Sequence, residues 1–197
     1  MCDETRRALC LRIVPRNIST STTIAHNWRK PTLGWIKVNM DGARQSGTGE
    51  TFCGGVGRDA NMRWCFGFSK KINICFAFVA ELWAIYEGLA TVWTLSYTRV
   101  ILETNCEEVY DCLRCETPER IHSSLRSHIG SIINKEWEVC FNCVGRRCNL
   151  VADKLVKMAK ELPIVYHRIL DPPSDILDLL QVDVDGYSSV VGYCLPL

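Results

Sequence analysis

The hydrophobic pattern changes period at Phe76, and that change constrains the fold more than any other feature of the chain. Before it, Trp35–Asp41, Thr51–Asp59 and Arg63–Ser69 have strand lengths and strand-like patterning, separated by a turn after Gly42 and by Asn61-Met62. After it, Ala80, Trp83, Ala84, Leu89 and Ala90 follow helical spacing within Phe76–Ser96. Arg99–Glu103 then runs as a continuous apolar stretch, the mark of a strand buried on both faces. A strand reached through a helix can pair in parallel, because parallel strands need a long crossover. Further helices are predicted at Glu107–Arg114, Ile121–Asn134 and Arg146–Lys160, with a last strand at Trp137–Cys143. The order β-β-β-α-β-α-α-β-α predicts an α/β fold. Its expected form is a five-stranded mixed sheet, three strands antiparallel and two parallel, flanked by helices.

The 197 residues suit one domain with extensions. Residues 1–33 lack periodicity, and Ser19–Thr23 reads as linker, so they are expected to form an N-terminal extension. The domain is expected over 34–160, and 161–197 is expected to be a C-terminal tail. Hydrophobic residues at 47% with charged residues at 23% exclude a disordered chain. A formal net charge of +1 means that any affinity for nucleic acid must come from local patches. Asp3, Glu4, Arg6 and Arg7 stand where a secretory signal would be apolar. No run of about 18 apolar residues occurs. The expectation is an intracellular chain, with nucleus and cytoplasm not distinguished, no membrane span, and a monomeric state.

Such a compartment keeps the twelve cysteines reduced, so most are expected to be small buried hydrophobes. Cys112/Cys115 and Cys140/Cys143 have the spacing of zinc-binding pairs. The long gap between the pairs favours core thiols. So does the second pair's place on a strand, where residues three apart face opposite ways.

Three carboxylates stand out. Asp41 ends the first strand just before Gly42, where a cation has room beside the backbone. The bland alternative is an ordinary Asp-Gly turn. Glu81 falls in the apolar start of the long helix, where a charge is costly to bury unpaired. The alternative is a solvated residue that favours the helix dipole. Glu87, on the same helix, reads more simply as surface. Asp153 lies on the last helix, where pairing with Lys154 or Lys157 is the plainer role.

Taken together and in order, these segments resemble the ribonuclease H-like domain of plant proteins and retroelement polyproteins. The resemblance rests on Lys37–Ala43, Gly54–Asp59, Ala80–Ala84 with Glu87-Gly88-Leu89, Leu102–Asn105, and Arg146 with Asn149 and Ala152-Asp153. It covers about Pro31 to Lys160, and Leu179–Gly186 is similar to a segment that often follows the plant form. The resemblance implies a catalytic cluster at Asp41, Glu81, Asn105 and Asp153, with Asp41, Glu81 and Asp153 holding Mg²⁺ or Mn²⁺. In that family one ion activates a water and another steadies the leaving 3′ oxygen during attack on an RNA phosphate. The implied partner is an RNA–DNA hybrid, read by shape and 2′-hydroxyls. Gly42, Arg146, Asn149 and Lys154 are the expected nucleic-acid contacts.

Two positions depart from the family pattern. Asn105 stands where the family has its fourth carboxylate, and it carries no negative charge. Cys143 stands where the family usually offers a histidine. Glu103 or Glu107 is a possible substitute ligand. Lys70, Lys71, Arg147, Lys157 and Lys160 add basic groups for a phosphate backbone, each with a solvated-surface alternative. Three readings follow: a hybrid-cleaving ribonuclease weakened at Asn105 and Cys143, a catalytically inactive nucleic-acid-binding or interaction module on the same fold, and a degenerate retroelement remnant.

Overall fold

The computed structural model describes residues 27–114 and 123–192. The Ser19–Thr23 run, Cys115 and Ile121 lie outside them.

Strands β1 (Ile36–Arg44), β2 (Thr51–Arg58) and β3 (Trp64–Ile72) form the antiparallel meander. The β2–β3 turn is set locally, since Asp59 Oδ1 accepts hydrogen bonds from the N–H groups of Asn61 and Arg63 at 2.8 and 2.9 Å. Helix α1 (Ala77–Thr94) crosses to β4 (Arg99–Thr104), which pairs in parallel with β1. Helices α2 (Glu107–Arg114) and α3 (Ser123–Ile133) lead to β5 (Glu138–Cys143), parallel to β4. A short 3-10 turn, Arg146–Asn149, runs into α4 (Leu150–Met158).

The sheet has six strands, not five. Strand β6 (Tyr166–Ile169) pairs antiparallel with β3, giving the order β5-β4-β1-β2-β3-β6. Its four residues lie inside the expected tail and are too short to show alternation. Tyr166 earns its place through contacts, stacking on Phe68 at 5.9 Å and hydrogen-bonding the Thr91 hydroxyl at 2.6 Å. Helix α5 (Leu177–Gly192) follows.

Helix α1 has no side-chain cap and no acidic residue in its first turn, so packing rather than end chemistry holds it. Val79, Leu82, Ile85, Leu89 and Val92 press on Val38, Met40, Val100 and Leu102 in the main core. Each such buried side chain stabilises the fold by about 1.5–3 kcal/mol. The opposite face of the sheet is covered by α4 and the segment after it, where Val151, Leu155 and Ile176 enclose Val56. No described helix is long and apolar enough to cross a membrane.

Two sequence expectations change here. Glu87 is buried rather than surface, because Lys70 reaches it from β3 at 2.5 Å. Among the eight described cysteines only Cys53 is fully buried, while the other seven are intermediate.

Candidate active site

Strand β1 does not end at Gly42; it continues to Arg44, and the chain turns only after that. The glycine serves close packing instead. A Cβ at Gly42 would lie 2.4 Å from the backbone of both Ala80 and Glu81. The absent side chain lets the start of α1 press against β1, bringing Glu81 next to Asp41. Strand β4 stops at Thr104, which is paired with Met40. Asp41 therefore sits one residue past the parallel pairing, where β1 keeps only its β2 neighbour.

Both acids are buried. Burial, then repulsion from Asp153, pushes Asp41 up to about 7, against opposing pulls from Arg146 and Lys157. Burial, then the Asp41 charge, pushes Glu81 up to about 9. Glu81 Oε2 is buried with no hydrogen-bond partner. The pair is buried and Glu81 Oε2 is left without a partner, and hard oxygen donors of this kind suit Mg²⁺ or Mn²⁺. In its donor chemistry the pair fits such an ion.

Asp153 joins them through charge more than through free oxygens. Its Oδ1 lies 3.4 Å from Arg146 Nη2 and its Oδ2 lies 2.5 Å from Lys157 Nζ. Among the described residues, no group of three or more His, Cys, Asp or Glu side chains is gathered closely enough to hold a metal ion.

Asn105 follows the end of β4, beside Asp41 in the extended register. Its Oδ1 accepts a hydrogen bond from Asn149 Nδ2 at 2.6 Å. The same Asn149 nitrogen donates to the Met40 carbonyl at 2.9 Å. Cys143 ends β5 opposite Thr104. Glu103, the suggested substitute, is committed elsewhere: its Oε1 lies 2.6 Å from Lys37 Nζ, and its Oε2 accepts from Asn39 at 3.0 Å. Glu107 is exposed at the start of α2.

Asp41, Glu81, Asn105, Asn149, Asp153 and Arg146 are thus brought to one corner of the sheet. Lys154 reaches instead toward Asp175 at 3.6 Å. Lys70 and Lys71 are paired with Glu87 and Glu50, each at 2.5 Å. One buried polar network was missed from sequence. Behind the site, Trp28 donates to Asn39 Oδ1 at 2.7 Å, and the Arg58 guanidinium lies 3.7 Å from the Trp28 ring centroid. Arg58 in turn pairs with Asp183 of α5 at 2.6 Å. The only sequence signal was Trp28 near the domain edge and Arg58 within a matched motif.

The sheet order and this corner define a ribonuclease H fold, and solved structures agree. The RNase H1 of Halobacterium salinarum superposes with a TM-score of 0.60 at 18% identity, covering 64% of this chain and 98% of that one. The N-terminal RNase H domain of a Mycobacterium tuberculosis protein gives a TM-score of 0.59 at 19% identity, covering 64% and 92%. LC11-RNase H1, solved in complex with an RNA/DNA hybrid, gives 0.58 at 21%, covering 63% and 95%.

A family model described as reverse transcriptase-like matches residues 39–159, and the chain belongs to that family, as a ribonuclease H-like domain of the plant and retroelement type. An Arabidopsis thaliana protein, named provisionally as a ribonuclease H protein, is 35% identical over 160 residues. That match covers 81% of this chain but only 26% of the relative.

Proposed function

We propose that this domain binds RNA–DNA hybrids and hydrolyses their RNA strand with Mg²⁺ or Mn²⁺, at a rate lowered by Asn105 and Cys143. The observation that carries this reading is the buried Asp41–Glu81 pair, in which Glu81 Oε2 has no hydrogen-bond partner. Asp41 and Glu81 would hold the metal, joined by Asp153 once it exchanges its Arg146 and Lys157 contacts for the ion, which supplies Lewis-acid stabilisation of the phosphate when bound. Arg146 is 76% exposed beside Asp153 and offers a guanidinium to the phosphate backbone. The hybrid in the complex of the related fold is consistent with that substrate class. Asn105 removes one negative charge from the ligand set, and the internal commitment of Glu103 leaves it unreplaced.

The test is cleavage of a labelled RNA–DNA hybrid in Mg²⁺ and in Mn²⁺, beside an Asp41→Asn control. Slow cleavage that vanishes in the control supports the proposal. A second reading, a silent nucleic-acid-binding module, draws on the Asn149–Asn105 hydrogen bond, which holds the substituted position in a defined structural role. Salt-sensitive binding with no cleavage in either metal would select it.

A further inference from the structure

Asn149 is buried at 1% exposure, and its amide can be oriented in only one way. The Met40 carbonyl can only accept, so Asn149 must turn its amino group toward it. The second hydrogen of that amino group points to Asn105, so Asn105 must present its oxygen in return. Flipping Asn105 would set two amino groups against each other. With its oxygen engaged, the half-buried Asn105 has its Nδ2 amino group as its remaining hydrogen-bonding end.

An amide nitrogen has no lone pair to give a cation, but it donates readily to an anion. Asn105 stands beside Asp41, at a corner that also holds Arg146 and Lys157, which are 76% and 60% exposed. A phosphate oxygen is the anion that a nucleic-acid strand would bring there.

Resting on the reading of this site as a hybrid-binding one, we propose that Asn105 is a phosphate-binding residue. Its Nδ2 donates a hydrogen bond to a non-bridging phosphate oxygen, and this contact needs no metal ion. The substitution at the fourth carboxylate position thus exchanges a metal ligand for a direct hold on the backbone. Asn149 is the positioning residue that fixes the direction of that donor.

The experiment measures binding of a fluorescent RNA–DNA hybrid by anisotropy, in EDTA and in Mg²⁺, for the wild type, Asn105→Leu and Asn105→Asp, with thermal melts of each. A hydrogen bond to a charged group sets the expected loss for Asn105→Leu in EDTA at about tenfold or more, with no recovery in Mg²⁺. Asn105→Asp keeps the acceptor for Asn149, so it retains the fold. It is expected to bind weakly in EDTA and to recover when Mg²⁺ is added. Should Asn105→Leu melt early, the Asp variant decides alone. Wild-type affinity for either variant in EDTA, or wild-type binding that appears only with Mg²⁺, overturns the proposal. No hybrid binding by the wild type in any condition is a different result, which overturns the underlying reading as well.

Discussion

Asn149 donates a hydrogen bond to Asn105 Oδ1 at 2.6 Å, tying the turn before α4 to the end of β4. Through its second bond, to the Met40 carbonyl, the same side chain also reaches β1. One buried amide therefore joins three elements that carry candidate site residues, Asp41, Asn105 and Asp153. An aspartate at 105 could accept the same bond with one oxygen and offer the other to a metal.

Asn105→Asp is therefore expected to raise both Mg²⁺ affinity and cleavage. Restoring a charged ligand is expected to be worth about 1.5–3 kcal/mol, on the scale of a charge-assisted contact, or roughly tenfold or more in rate. Calorimetry of Mg²⁺ binding and hybrid cleavage would check it. An unchanged affinity and rate would mean that position 105 is not where ligation was lost.

Metal-free stability should fall as pH rises. Asp41 and Glu81 have folded-state values of about 7 and about 9 against ordinary values of 3.8 and 4.5. The folded state thus holds protons that the unfolded state has released, so the contribution is full below about pH 4 and is lost on passing pH 7 and then 9. One unit corresponds to about 1.4 kcal/mol, so the loss is on the order of several kcal/mol. Glu81→Gln removes part of it, and melts in EDTA should show the variant gaining on the wild type between pH 5 and 9. Parallel Tm–pH curves for the two proteins would contradict this. Added Mg²⁺ should raise the wild-type Tm most at the alkaline end.

Asp183→Ala leaves Arg58 charged and buried at the centre of a network. Arg58 is 2% exposed, and its Nη1 lies 2.6 Å from Asp183 Oδ2. Removing one partner of such a pair costs about 3–5 kcal/mol. Urea unfolding should show that loss. A joint Arg58→Met and Asp183→Leu replacement should recover much of it, because neither then buries a lone charge. A near-neutral Asp183→Ala would mean that α5 is not held by this pair.

Gly42→Ala places a methyl 2.4 Å from the α1 backbone at Ala80 and Glu81. The clash falls on main chain, which cannot rotate aside, so a destabilisation of about 1–3 kcal/mol or more is expected. Activity should fall further than stability, since the helix that carries Glu81 must move off the strand that carries Asp41. Thermal melts alongside hybrid cleavage would separate the two effects. Full activity in a folded Gly42→Ala would show that this contact does not set the site.

Much of the architecture was legible because it is written in local periods. The meander, the crossover helix and the buried parallel strand each carry their own hydrophobic spacing, and Asp41, Glu81 and Asp153 fell on them in the family's order. The reason for Gly42 was not legible. An Asp-Gly pair after a strand suggests a turn, and only the approach of α1 from another part of the chain shows that the strand continues. Glu87 was misjudged for a similar reason, because its partner Lys70 lies on β3 and no helical pattern reports it.

The sequence by itself determined the class of fold, the order of its elements, the three acidic positions and the neutral amide at 105. These depend on residue type and short-range spacing, which the chain displays directly. Only the tertiary structure decided that Tyr166–Ile169 joins the sheet, that Glu103 is tied to Lys37 and Asn39, and that Asp183 neutralises an arginine 125 residues away. Hydrogen bonds and ion pairs are short-ranged in space but indifferent to separation along the chain. The partner of a buried polar group becomes known only when the fold has brought the two together.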